Sequence, residues 1–149
     1  YTKHILIYSE DHGIRIYTNA YVEKAGDDGP VSIWPGGRAI YNVTGKVSMY
    51  YPVCVAGDYA IRNQNFGNVI AEGIVMVNQN NYGVYCAYHS NTWAASGTAR
   101  QIAGTAYFAY GNSMVTATAT NANNNGNGTD YNPAVSCTAG NCEAVIQWS

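Results

Sequence analysis

Apolar and polar residues alternate with a period of two over most of the chain, and this pattern predicts β-strands. In residues 14–22, for example, Ile14 and Ile16 fall on one side of the predicted strand and Arg15 on the other. Turn-forming residues separate the strands at short intervals. The predicted strands are residues 4–8, 14–22, 31–34, 38–43, 46–55, 69–77, 82–89, 98–110, 114–120, 134–137 and 143–148.

Two pairs of strands are predicted to form hairpins. Residues 69–77 and 82–89 are joined by four polar residues, and residues 98–110 and 114–120 by Gly111-Asn112-Ser113. The two hairpins share too few identities to establish a repeat. Many short strands in one chain of 149 residues are typical of a single all-β domain. We expect an antiparallel β-sandwich, with a closed barrel as the alternative.

Pro52 lies inside one of the predicted strands, residues 46–55. Proline has no N–H to donate to a neighbouring strand, so this strand is expected at a sheet edge or with a bulge.

The excess of tyrosine, 14 residues against two phenylalanines, fits amphipathic sheet faces. It fits sugar binding and subunit contacts equally well.

The four cysteines predict two disulfides and therefore an oxidising compartment. The favoured pairs are Cys137–Cys142, which closes a short local loop, and Cys54–Cys86, which joins two predicted strands and would contribute roughly 3–4 kcal/mol. Two glycosylation sequences, at Asn42 and Asn127, agree with secretion. No signal peptide is visible, so a secreted chain would be the mature form.

Charge and hydropathy exclude two kinds of partner. Seven basic and nine acidic residues give a net charge of −2, which is too little positive charge to hold a phosphate backbone, and no nucleic acid is expected. The longest uncharged run, between Glu72 and Arg100, is interrupted by polar residues, so no membrane span is expected.

The Asn-rich residues 121–133 have the alternating oxygen-bearing side chains of a calcium loop. They contain one carboxylate, Asp130, whereas hard cations require several. We therefore expect a surface loop and no cofactor. A Ca²⁺ site would need a further carboxylate from another loop, namely Glu10, Asp11, Asp27, Asp28 or Asp58.

Catalytic motifs are lacking: the chain contains no GxSxG, HExxH or glycine-rich phosphate loop. A glycosidase pair of carboxylates could come from distant strands. The candidates for it are Glu10, Asp11, Glu23, Asp27, Asp28, Asp58, Glu72, Asp130 and Glu143. Without a motif, we expect a protein that is not an enzyme.

Carbohydrate binding is the favoured function, because two loops combine an aromatic ring with short polar side chains. Trp93 and Tyr131 would stack on sugar rings, while Asn91 and Asp130 would bond hydroxyl groups and His89 would assist. The expected partner is a glycan or a cell surface, outside the cell, as for an adhesin.

The alternative is a structural subunit of an extracellular filament or surface layer that assembles with copies of itself. The apolar N-terminal strand, with Ile5 and Ile7, would complete the sheet of the next subunit. Pairing of this strand within its own sheet is the competing interpretation.

Overall fold

The chain folds as a parallel β-solenoid of about five turns. The structure is a computed structural model that describes residues 5–17, 19–24, 29–123, 135–138 and 143–148, with side chains described up to residue 117. Each turn, or coil, places three short strands on three faces, which we call A, B and C. Every strand pairs in parallel with the strand one coil earlier or later. On one face, for example, Arg38 pairs with Tyr59, Tyr59 with Tyr82 and Tyr82 with Thr105.

Face A contains β1 (Ile5–Ser9), β4 (Val31–Pro35), β7 (Pro52–Val55), β10 (Val75–Val77), β13 (Thr98–Arg100) and the end of β15. Face B contains β2 (His12–Ile16), β5 (Arg38–Asn42), β8 (Tyr59–Gln64), β11 (Tyr82–Ala87), β14 (Thr105–Tyr110) and β16 (Val135–Thr138). Face C contains β3 (Tyr21–Lys24), β6 (Lys46–Tyr50), β9 (Asn68–Glu72), β12 (Asn91–Trp93), the start of β15 (Met114–Asn123) and β17 (Glu143–Trp148).

The core consists of columns of small and aliphatic side chains that run along the solenoid axis. The side chains of each strand fall largely on alternating sides, except that face B buries two consecutive residues between its outward positions. The parallel register stacks each inward residue on its equivalent in the next coil. Face B contributes the column Ile40, Ile61, Val84 and Tyr107, all fully buried. Face A contributes Ile33, Cys54, Met76 and Ala99, and face C contributes Val47, Val69, Thr92 and Val115.

The prediction of an antiparallel sandwich or barrel was wrong. Alternation with a period of two shows that one side of a strand is buried, but it carries no information on the direction of the neighbouring strand. Residues 78–81 were expected to reverse the chain, and instead they carry it from face A to face B. Residues 111–113 likewise carry the chain from face B to face C.

Pro52 does not lie in an edge strand either. It is the first residue of β7, which pairs with β4 on one side and β10 on the other. The first position of a strand tolerates a residue without an N–H, since the ladder has only begun there.

The predicted disulfide between Cys54 and Cys86 is absent, and both residues are free and buried. Cys54 points inward from face A, whereas Cys86 points inward from face B of the following coil. The other predicted pair, Cys137–Cys142, lies outside the described side chains. The part of the chain whose side chains are described is therefore stabilised by packing and hydrogen bonds and not by a cross-link.

Candidate functional site

Face B carries the most distinctive surface of the protein. Its outward-pointing residues form two columns, the first with His12, Arg38, Tyr59, Tyr82 and Thr105, and the second with Arg15, Tyr41, Arg62, Tyr85 and Phe108. These ten positions hold five aromatic rings and three of the four arginines of the chain. Neighbouring strands lie about 4.8 Å apart, so the surface extends roughly 19 Å from β2 to β14.

The rings at the C-terminal end of face B pack against one another. Tyr59 stacks on Tyr82 with ring centroids 5.5 Å apart, and Tyr85 stacks on Phe108 at 5.2 Å. The two pairs meet at steep angles, since Tyr59 lies edge-on to Tyr85 at 5.8 Å. Each stacked ring therefore has one side covered by its partner.

The arginines at the N-terminal end of face B surround a single ring, that of Tyr41. The guanidinium carbons of Arg15, Arg38 and Arg62 lie 5.7, 4.8 and 5.6 Å from its centroid, within the range of cation–π attraction. Arg62 also lies over Tyr59 and Tyr85, at 5.4 and 5.5 Å. We call Arg15, Arg38, Arg62 and Tyr41 the arginine cluster.

Polar contacts hold every member of the arginine cluster in place. Arg15 donates to Tyr17 Oη, and Tyr41 Oη accepts from Gln64 Nε2 at 3.1 Å. Arg38 Nη1 lies 3.0 Å from His12 Nε2, and His12 Nδ1 lies 2.5 Å from the Asp11 carboxylate. Arg38 donates to His12 Nε2, because a guanidinium group carries donors only. Arg62 donates its Nε–H to Gln64 Oε1 at 3.2 Å. These contacts orient the guanidinium groups without neutralising them.

The two columns of face B contain no carboxylate. Among the described side chains, none of the three arginines has an ion pair, and the one ion pair found joins His12 to Asp11 at the corner between faces A and B. Positive charge is thus concentrated on one face of a protein whose net charge is −2.

Burial raises the pKa of Tyr85, so its hydroxyl group is a neutral hydrogen-bond donor and acceptor at physiological pH.

Three of the residues predicted to bind sugar, His89, Asn91 and Trp93, lie close together in the sequence, at the corner between faces B and C and in the strand that follows it. His89 lies at the corner between faces B and C, where its ring stacks on Phe66 at 5.1 Å and its Nε2 contacts Asn112 Nδ2 at 3.2 Å. Asn91 and Trp93 point outward from β12 and are exposed. Asp130 and Tyr131, the other two predicted residues, lie outside the described residues.

The glycosylation candidate Asn42 is fully buried, and its side-chain amide donates to Gly45 O at 2.8 Å and to Asn63 Oδ1 at 3.0 Å. The folded protein therefore offers no accessible amide at this position. Asn127, like most of the suspected calcium loop, lies outside the described residues. Within the described ranges no three His, Cys, Asp or Glu side chains come close enough to hold a metal ion.

Sequence reasoning missed face B because it missed the coil repeat. The signal is present but weak: Ala39-Ile40-Tyr41-Asn42 recurs one coil later as Ala60-Ile61-Arg62-Asn63, and Asp58-Tyr59 recurs as Asn81-Tyr82. A search for self-similarity at the period of one coil would have aligned these positions. The arginines and tyrosines would then have fallen into the same two columns.

Comparison with known proteins adds no functional information. The chain matches no protein-family model, and comparison with curated proteins and with solved structures gives no match either. Across the described ranges, no helix has the length and apolar character needed to cross a membrane. Function must therefore be argued from the surface itself.

Proposed function

We propose that this protein is a non-enzymatic, extracellular carbohydrate-binding module, and that face B holds the glycan. The observation that carries the proposal is the concentration of five aromatic rings and three arginines in two adjacent columns. Phenol hydroxyl groups and guanidinium N–H groups are suitable partners for sugar hydroxyl groups, and the ring sides that the stacking leaves uncovered provide apolar contact with C–H groups. The surface of roughly 19 Å is long enough for several sugar units of an extended chain.

The absence of carboxylates from these columns supports binding over hydrolysis. Most glycosidases require two carboxyl groups on either side of the scissile bond. The acidic residues nearest in sequence to face B, Asp11 and Asp58, lie at the corner between faces A and B. A glycan on face B would therefore be held and not cleaved.

A glycan array with three proteins tests the proposal. The wild-type protein should bind at least one glycan, and the double variant Tyr82→Ser/Tyr85→Ser should bind it roughly tenfold more weakly, because two of the five rings are lost. The control is Trp93→Ala, which removes an exposed ring from face C and should leave the affinity unchanged. Far-UV circular dichroism checks that each variant is folded.

Two results would overturn the assignment of a glycan site to face B. If no glycan binds the wild-type protein, the proposed function fails. If Trp93→Ala abolishes binding while the face B variant retains it, the site lies at His89, Asn91 and Trp93, where the sequence placed it.

One observation favours the alternative, a subunit that assembles with copies of itself. The strands of the first coil, β1, β2 and β3, each pair on one side only among the described residues. Ile7, Ile14 and Val22 of this coil are only partly buried against the core. A second copy stacked on this end would pair the free backbone groups and cover these side chains.

Electron microscopy tests this alternative. Filaments in a concentrated sample, lost on Ile14→Lys, would support axial stacking, because a lysine at this end cannot be buried between copies. The matched control is Ile70→Lys on face C, away from the stacking end, which should leave the filaments intact. A monodisperse monomer at high concentration would contradict the alternative.

A further inference from the structure

We infer that the ligand of face B is an anionic glycan, whose carboxylate or sulfate groups bind at the arginine cluster. This inference rests on the proposed function and narrows it to a class of ligand. The carrying observation is the convergence of three guanidinium groups on the ring of Tyr41, within 5.7 Å of its centroid, with no carboxylate among them.

Three like charges around one ring repel one another, and the contacts within the cluster do not remove that repulsion. The quadrupole of Tyr41 attracts each guanidinium group, but a neutral ring cannot neutralise three positive charges. The Asp11 carboxylate contacts His12 and none of the three guanidinium groups. An anion bound at the cluster would relieve the repulsion, so the site is better suited to a charged ligand than to a neutral one.

The spacing of the arginines fits a polymer. Arg15, Arg38 and Arg62 lie on β2, β5 and β8, which are consecutive strands of face B. Their backbones are therefore displaced by about 4.8 Å from one coil to the next. This step is close to the length of one sugar unit in an extended chain. Arg15 and Arg62 lie in the second column two coils apart, and Arg38 lies in the first column on the strand between them. A glycan that runs along the axis could therefore place anionic groups of alternate units at Arg15 and Arg62, with Arg38 beside the intervening unit.

The guanidinium groups also have N–H groups that remain available to donate to such a ligand. No described hydrogen bond uses Nη1 or Nη2 of Arg62, whose Nε–H bonds Gln64. Carboxylate and sulfate groups accept two parallel N–H bonds from a guanidinium group, which gives both affinity and orientation. The neutral stacked rings of Tyr82, Tyr85 and Phe108 would then contact the uncharged part of the chain.

A single-stranded nucleic acid is the competing polyanion, and the geometry disfavours it. Such ligands are held by bases that stack on open aromatic faces. On face B, Tyr59 and Tyr82 cover one side of each other, as do Tyr85 and Phe108, and Arg62 lies over Tyr41, Tyr59 and Tyr85. Each of these rings therefore has one side covered within the protein, which leaves less open aromatic surface for stacked bases.

The test uses polysaccharides in matched pairs with the intact chain. One pair is a polyuronate and its carboxyl-reduced form, and the other is a sulfated glycan and its desulfated form. The anionic member should bind at least roughly tenfold more tightly than its neutral counterpart, and the difference should shrink as salt is added. The pair that shows the difference identifies the group as carboxylate or sulfate.

Variants then locate the binding. Arg38→Gln and Arg62→Gln should each weaken binding of the anionic glycan roughly tenfold, and they should weaken any binding of the neutral form by a clearly smaller factor, because only a hydrogen bond and no charge pair is lost there. Arg62→Lys retains the charge but loses the two-pronged geometry, and it should bind with intermediate affinity. The control is Arg100→Gln on face A, which removes the same charge from another face.

The outcomes separate this inference from the proposed function. Equal binding of both members of each pair would refute the anionic ligand and leave glycan binding intact. Binding of no glycan would refute both. Tighter binding of single-stranded DNA than of any glycan, lost on Arg62→Gln, would assign the arginine cluster to nucleic acid.

Discussion

At the scale of single residues, the corner between faces B and C depends on buried amides. Asn42 and Asn63 occupy the same inward position in successive coils, and both are fully buried. Asn63 Nδ2 donates to Gly67 O at 3.1 Å and to Asn91 O at 2.7 Å, so it satisfies backbone carbonyls of its own coil and of the next. Cys86 takes this position in the following coil, where its thiol donates to Ser90 O at 3.2 Å.

Asn63→Ala should lower the free energy of unfolding by about 3 kcal/mol. The change leaves Asn91 O without its side-chain donor and Asn42 Nδ2 without one of its acceptors, whereas Gly67 O still accepts from the backbone N–H of Asn91. Each buried group left unsatisfied costs about 1–3 kcal/mol. Urea denaturation measures the effect. The control is Gln64→Ala, an outward-facing residue of the same strand, which should change stability by about 0.5 kcal/mol or less. Equal losses of stability in both variants would show that the buried amide of Asn63 has no special role.

The buried thiols make stability depend on alkaline pH. Burial raises the pKa of Cys86 to about 11 and that of Cys54 to about 12, from an ordinary value of 9.0. The contribution of the two protonated thiols to the free energy of unfolding is therefore complete below an ordinary thiol pKa of 9.0. It is lost as the pH rises from there toward the pKa values of the folded protein, because the unfolded chain releases these protons first.

Cys86→Ser tests this pH dependence. The serine hydroxyl can donate to the same carbonyl groups but does not ionise, so the loss of stability between pH 8 and 10.5 should be about 1–2 kcal/mol smaller than in the wild-type protein. Urea denaturation at the two pH values measures the difference. An unchanged pH dependence would mean that Cys86 does not titrate in this window.

At the scale of the strands and corners, the solenoid turns through residues in the left-handed backbone region. The corner from face C to face A has Tyr51, Gly73 and Ser96 in successive coils, all with φ between 51° and 66°. The corner from face A to face B has Ala56, Asn78 and Gln101, with φ between 55° and 63°. Each corner therefore repeats its backbone conformation even though its residue type changes.

A matched pair of Ala→Gly substitutions tests this role of the corners. Ala56 has a φ of 63°, where a Cβ atom costs about 1 kcal/mol, so Ala56→Gly should leave stability unchanged or raise it slightly. Ala60, buried in strand β8, has no such strain, and Ala60→Gly should destabilise by about 1 kcal/mol. Thermal unfolding of both variants gives the comparison. A larger loss for Ala56→Gly than for Ala60→Gly would contradict it.

At the scale of the whole molecule, the solenoid is a nearly one-dimensional array in which each coil contacts its neighbours. The stability of such an array is approximately a sum of terms for each coil and each interface between coils. One coil can therefore be removed if the chain is rejoined at an equivalent position. Asn68 and Asn91 are equivalent, since they pair in register on face C.

Deletion of residues 68–90 should give a folded, shorter solenoid. It joins Gly67 to Asn91 and removes one complete coil, so the denaturant dependence of unfolding should decrease with the smaller buried area. Circular dichroism and urea denaturation measure both properties. The control is deletion of residues 68–79, which rejoins the chain out of phase and should prevent folding. If the two deletions behave alike, coil register does not govern stability.

The sequence by itself determined much of where strands form and which of their sides is buried, but not where they end. Each of the predicted strands 46–55, 69–77 and 98–110 forms two strands that lie on different faces. Residues 38–43 and 82–89 were predicted as strands and contain β5 and β11, and Ile14 and Ile16 were correctly placed on the opposite side from Arg15. This information is local, because alternation within one strand decides which side is buried. Asn91 and Trp93, which were expected in a loop, instead form the ends of strand β12, and both are exposed.

Only the tertiary structure decided which strands are neighbours, and with that the content of each surface. Arg15, Arg38 and Arg62 belong to three different coils, and nothing in their local sequence brings them to one tyrosine ring. Parallel stacking of coils does so, because it places equivalent positions of successive coils on adjacent strands. The same stacking puts Cys54 and Cys86 on different faces, so an even number of cysteines did not mean a bond between them. Strand direction depends on long-range pairing, and the pattern within a strand is the same for either direction.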